Sequence, residues 1–111
     1  EEGFGGTSSV SGKVYVLDYN TELTELLEQY YAPDEDVFIV FGDDITYADK
    51  VSTHYDGTYE FTNLKKGHYT VYAYSKDTTG NPDGEKFPVI SSFDVTSNGQ
   101  EIVLADLIIV K

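Results

Sequence analysis

The stretch that decides the fold is His54-Tyr55-Asp56-Gly57-Thr58-Tyr59-Glu60-Phe61-Thr62-Asn63-Leu64-Lys65-Lys66-Gly67-His68-Tyr69-Thr70-Val71-Tyr72-Ala73-Tyr74. Asp56-Gly57 is a turn signal, and glycine there allows the positive φ that tight turns demand. Tyr59 and Phe61 stand two apart, so in a strand they share one face. Leu64 closes the end of that face, and Gly67 turns the chain into a second run. There Tyr69, Val71 and Ala73 alternate inward while His68, Thr70, Tyr72 and Tyr74 point outward. The passage reads as a hairpin of two strands whose inner faces supply a core.

Working outward, the same alternation recurs along the chain. Val14 and Val16 share one face of a strand over residues 12–18. Residues 37–41, Val-Phe-Ile-Val-Phe, form a short run apolar on both faces, closed by Gly42-Asp43-Asp44. One side of it is expected to meet the core, and the other to be covered by residues 19–31. That segment spaces Leu23, Leu26, Leu27 and Tyr30 as a helix does, with Asn20 as a cap. At this length a short helix and an ordered irregular excursion both remain open. Further strands are read through Val51, Thr53 and Tyr55, over residues 87–95, where Pro88 demands an edge or entry position, and as one long strand over 101–110. Residues 78–84 and Ser97-Asn98-Gly99 are turns. Residues 1–9, EEGFGGTSS, have the composition of a flexible tether, which leaves 10–111 as one domain. The reading is all-β: a seven-stranded antiparallel β-sandwich with an insertion near 19–31.

Composition narrows the partners. The chain has 111 residues, 20 acidic side chains, 7 lysines, no arginine and a formal net charge of −13. Such a surface repels polyanions, so nucleic acid and anionic lipid are poor partners. Cysteine is absent, which removes disulfides, thiolate metal sites and cysteine nucleophiles. No apolar run approaches the length of a membrane-spanning helix.

Taken together, Gly12-x-Val14-x-Val16, Val37-x-Ile39 and Asp56-Gly57-x-Tyr59-x-Phe61-x-x-Leu64-x-x-Gly67-x-Tyr69-x-Val71 resemble the carboxypeptidase regulatory-like domains. These group with transthyretin-like domains and collagen-adhesin B-type repeats, all prealbumin-like sandwiches. The resemblance runs over residues 10–111, with 19–31 as an insertion, and implies a secreted or cell-envelope module. Glu1-Glu2-Gly3-Phe4-Gly5-Gly6 looks like the start of a mature bacterial lipoprotein, so any membrane attachment is expected through a lipid anchor ahead of this sequence.

The activities of such relatives do not carry over. A Lys–Asn isopeptide bond would need an acid where Ala73 stands and an asparagine in residues 101–111, and Lys13 lies at the start of its strand. Transthyretin-like hydrolases use arginine, which this chain lacks. Dioxygenases on a similar sandwich hold iron with two tyrosines and two closely spaced histidines, whereas His54 and His68 are fourteen residues apart. No nucleophile motif surrounds any serine. The expectation is a non-enzymatic structural or interaction module of adhesion type, with a carbohydrate-binding accessory domain as the alternative and no cofactor.

Two candidate sites follow. Asp34, Asp36, Asp43 and Asp44, with Glu35 and Asp49, offer hard oxygen ligands for calcium if they gather at one end of the sandwich, although runs of charge are ordinarily solvated. Asn81-x-Asp83-Gly84 copies part of a calcium loop, but Ile90 stands where its bidentate glutamate belongs. Outward Tyr15, Tyr72 and Tyr74 form a stacking platform if their strands are neighbours; otherwise they simply cover a sheet face.

Overall fold

The computed structural model describes residues 3–20, 22, 24–76 and 86–110. Nine strands make two sheets, and there is no helix among the described residues. They are β1 (Phe4–Tyr19), β2 (Leu26–Tyr31), β3 (Asp36–Phe41), β4 (Asp49–Ser52), β5 (Thr58–Leu64), β6 (Gly67–Lys76), β7 (Lys86–Val95), β8 (Glu101–Val103) and β9 (Leu107–Val110).

β1 organises the first sheet. Along one edge it pairs antiparallel with β5 and then β2; along the other it pairs parallel with β8 and then β9. Val14 marks the changeover, its amide donating to Gly57 O and its carbonyl accepting from Ala32 N, both at 2.9 Å. The second sheet is antiparallel in the order β4-β3-β6-β7. One buried cluster joins the inner faces of both sheets. It takes Val10, Val14 and Val16 from β1, Tyr59, Phe61 and Leu64 from β5, Val37 and Ile39 from β3, and Tyr69, Val71 and Ala73 from β6. The opening passage therefore supplies six core side chains as its alternation predicts, although its two strands do not pair with each other. β5 belongs to the first sheet and β6 to the second, so the connection at Lys65-Lys66 crosses between sheets.

Four further expectations are corrected. The first is the tether. β1 begins at Phe4, and the chain there is pinned against the end of β5: Lys65 N donates to Gly3 O at 2.9 Å, and the Tyr69 hydroxyl accepts from Gly3 N at 3.0 Å. A Cβ on Gly6 would lie 2.1 Å from Leu64 O, so glycine serves close backbone approach rather than slack. The pairing slips twice between Phe4 and Val10, as β-bulges allow.

The second concerns residues 19–31, which form a hairpin rather than a helix or an excursion. Asn20 caps its turn, its Oδ1 accepting from Thr24 N at 2.9 Å and Glu25 N at 3.2 Å, and β2 then returns along β1 from Tyr19↔Leu26 to Tyr15↔Tyr31. Leu26 and Leu27 stay exposed; Leu23 lies outside the described residues. An isolated short helix is marginal, and the free edge of β1 supplies a ladder that outweighs the weak helical preference. β2 therefore extends the first sheet and does not pair with β3, which lies in the second.

Thirdly, the last strand is two. Ile102 and Leu104 occupy even positions while Leu107 and Ile109 occupy odd ones, and a continuous strand cannot bury both sets. The chain breaks at residues 104–106 to change parity, and both halves run parallel to β1, so the first sheet is mixed. Finally, the described residues form nine strands rather than seven. The stretch 78–84 lies outside the described residues.

Candidate functional site

The outer face of the second sheet carries the densest aromatic grouping. On β3, alternation sends Val37 and Ile39 to the core and Phe38 and Val40 outward. On β6 it sends Tyr72 and Tyr74 outward, and the register pairs Phe38 with Tyr72 and Tyr72 with Ile90 of β7. The rings of Phe38 and Tyr72 stack at 5.0 Å, 15° from parallel. Tyr74 meets Phe38 edge-on at 5.6 Å and Tyr72 at 5.5 Å.

A fourth ring comes from the β3–β4 connection. Its ends are fixed by Asp44 N donating to Phe41 O at 3.0 Å and Ala48 N donating to Ile39 O at 2.8 Å. Between them Tyr47 folds back onto Phe38 at 4.9 Å. The three tyrosine rings, with Val40, Asp44, Ile45 and Ile90, border a shallow depression of about 430 Å³, and Phe38 packs behind them. Tyr74 is 41% exposed and Tyr47 48%, so ring surface remains open to solvent. The phenol of Tyr72 is pushed above its ordinary pKa, first by burial and then by the adjoining Tyr74 phenol, so it is neutral and a donor at physiological pH.

The polar remainder of the face lies toward the other end of β6. Thr70 Oγ1 and Ser92 Oγ are 3.2 Å apart, and His68 Nδ1 lies 2.8 Å from Asp94 Oδ1. Beside Phe38, Lys50 is within 3.8 Å of Asp36. Pro88 sits on β7 at the sheet edge, the position a residue without an amide donor requires.

Of the three tyrosines singled out in the sequence, Tyr72 and Tyr74 come together and Tyr15 does not join them. Tyr15 lies on the outer face of the first sheet, 4.9 Å from Tyr31. There Tyr31 donates to Asp106 Oδ2 at 3.1 Å, which raises its pKa, and Lys13 Nζ sits 4.8 Å over its ring. Phe38 was legible as the outward residue of an apolar strand. Tyr47 was not, because a loop side chain has no periodicity to reveal it.

The acidic candidates do not gather. Asp34 and Asp36 lie at the start of β3 and Asp43 and Asp44 beyond its end, so a six-residue strand separates them by roughly 20 Å. Among the described residues no three carboxylates or imidazoles are placed to share a metal ion. Asp36 is engaged with Lys50 and with Ser52 Oγ at 3.3 Å. The calcium-loop fragment at 81–84 lies outside the described residues. His54 sits exposed in the turn before β5, apart from His68 at the start of β6.

Comparison with known proteins gives a fold and no family. No protein-family model matches the chain, and no curated protein does. It is similar in structure to a Pseudomonas aeruginosa protein provisionally described as carbohydrate binding, with a TM-score of 0.56 and 14% identity over 93% of this chain and 90% of that one. Likeness at that identity concerns the all-β architecture.

Proposed function

We propose that the chain is a non-catalytic recognition module, a prealbumin-like β-sandwich that binds carbohydrate on the outer face of β4-β3-β6-β7. The observation that carries this reading is the cluster of Tyr47, Tyr72 and Tyr74, packed on Phe38 and bordering an open depression. Stacked rings offer an apolar surface to the C–H face of a sugar, and the tyrosine hydroxyls with Thr70 and Ser92 offer neutral donors and acceptors to its hydroxyls. The description of the structural neighbour leans the same way. The resemblance in the sequence supports placing such a module in the cell envelope or outside the cell.

A glycan array probed with wild type and Tyr74→Ala tests the reading. Wild type binds a related set of glycans, and the variant, folded by circular dichroism, binds them at least tenfold more weakly. Equal binding by both, or no glycan bound by wild type, would overturn it.

A further inference from the structure

Resting on that reading of the face, we infer that its ligand is an uncharged polysaccharide held along its length, and that carboxylated and sulfated glycans are excluded by charge. Three observations converge on this class. The first is shape. The register places Ile90, Tyr72 and Phe38 side by side on three adjacent strands, and Tyr47 packs against Phe38. With neighbouring strands about 4.8 Å apart, that row spans roughly 10 Å across the sheet. It is longer than one pyranose ring, and among the described residues the depression along it is open. Such a surface suits consecutive units of a chain better than a lone sugar or a chain terminus.

The second is the polar chemistry. The hydroxyls at hand belong to tyrosines, Thr70 and Ser92, all neutral, and burial together with Tyr74 keeps the Tyr72 phenol protonated. Neutral hydroxyls exchange hydrogen bonds with sugar hydroxyls and give a carboxylate no compensating charge.

The third is the electrostatic balance. Among the described residues bordering the depression the one formal charge is the carboxylate of Asp44, and no lysine borders it. The nearest β4 cation, Lys50, stands beside Asp36 at 3.8 Å, and Lys86 lies at the start of β7, two positions before Pro88. Across the face, His68 faces Asp94. Over the whole chain the balance is −13, so a polyanion meets repulsion on approach as well as at the site. At low ionic strength that field reaches well beyond the contact surface, and in high salt it is confined to a few ångströms.

The test uses matched polymers. Soluble glucan, mannan and galactan are each prepared neutral and carboxymethylated, and binding is measured by electrophoresis through gels containing each polymer and by calorimetry, at 20 mM and 500 mM NaCl. At least one neutral polymer binds, and its carboxymethylated form binds at least tenfold more weakly at 20 mM NaCl. The gap narrows at 500 mM NaCl and also in Asp44→Asn, while the corresponding monosaccharide binds at least tenfold more weakly than the polymer. A carboxymethylated form that binds as tightly as its parent, a gap indifferent to salt, or a monosaccharide that binds as well as the polymer overturns this inference and leaves the sugar reading standing. Failure of every neutral and every charged polymer to bind overturns both.

Discussion

The ring of Tyr72 lies parallel to that of Phe38, centroids 5.0 Å apart, across the register pair that joins β6 to β3. Phe38 is half-buried among three tyrosines, whereas Tyr47 is 48% exposed and reaches the cluster from a loop. The two rings therefore divide structure from recognition. Phe38→Ala is expected to lower stability by about 1.5–3 kcal/mol, less than a fully buried phenylalanine would. Tyr47→Ala is expected to cost under about 1 kcal/mol while abolishing most sugar binding. Urea melts beside the binding assay check both, and equal losses of stability would show that Tyr47 is a packing residue.

Gly57 closes the turn before β5, with its amide donating to His54 O at 2.9 Å and φ at 84°. A Cβ there would lie 2.8 Å from Tyr31 Cβ and 3.0 Å from Val14 O, so neither the backbone nor the space admits a side chain. Gly57→Ala is expected to cost about 2–4 kcal/mol, combining strain with overpacking. A urea midpoint within error of wild type would show that the turn relaxes freely.

Tyr59 is fully buried, and its hydroxyl finds no hydrogen-bond partner among the described residues. Burial, with the Asp106 carboxylate adding to it, pushes its pKa up to about 12. A folded-state pKa above the unfolded value of about 10 means that the contribution to stability is fully present below pH 10 and is lost as pH rises toward 12. The loss is on the order of 2–3 kcal/mol. Tyr59→Phe removes both the titration and an unpaired polar atom, so it is expected to stabilise the protein by about 1–2 kcal/mol at pH 7. The advantage should widen between pH 10 and 12 in denaturant titrations; an advantage that stays constant would show that the phenol titrates alike in both states.

Because Asp34 and Asp36 lie at one end of β3 and Asp43 and Asp44 beyond the other, millimolar calcium is expected to leave the melting temperature unchanged at fixed ionic strength, as is a chelator. A saturable rise of several degrees on adding calcium would show that these carboxylates are drawn together by the ion.

What the sequence determined by itself was local. Period-two alternation picked out Tyr59, Phe61, Leu64, Tyr69, Val71 and Ala73 as core, and Asp56-Gly57 as a turn, because side-chain direction in a strand follows from its own backbone. The parity change between Leu104 and Leu107 was also present in the sequence, yet residues 101–110 read as one long strand until the pairing with β1 showed the break between β8 and β9. Tertiary structure decided everything that depends on which edge a strand finds. Residues 26–31 have a helical spacing but take the free edge of β1, and the glycines near the start of the chain are used for close approach to Leu64. Pairing energy is non-local, so no window of sequence contains it. The same reason separates the candidate tyrosines. Tyr72 and Tyr74 share a strand and their rings meet, whereas Tyr15 was assigned to a different sheet by pairing, and Tyr47 reached Phe38 through the path of a loop.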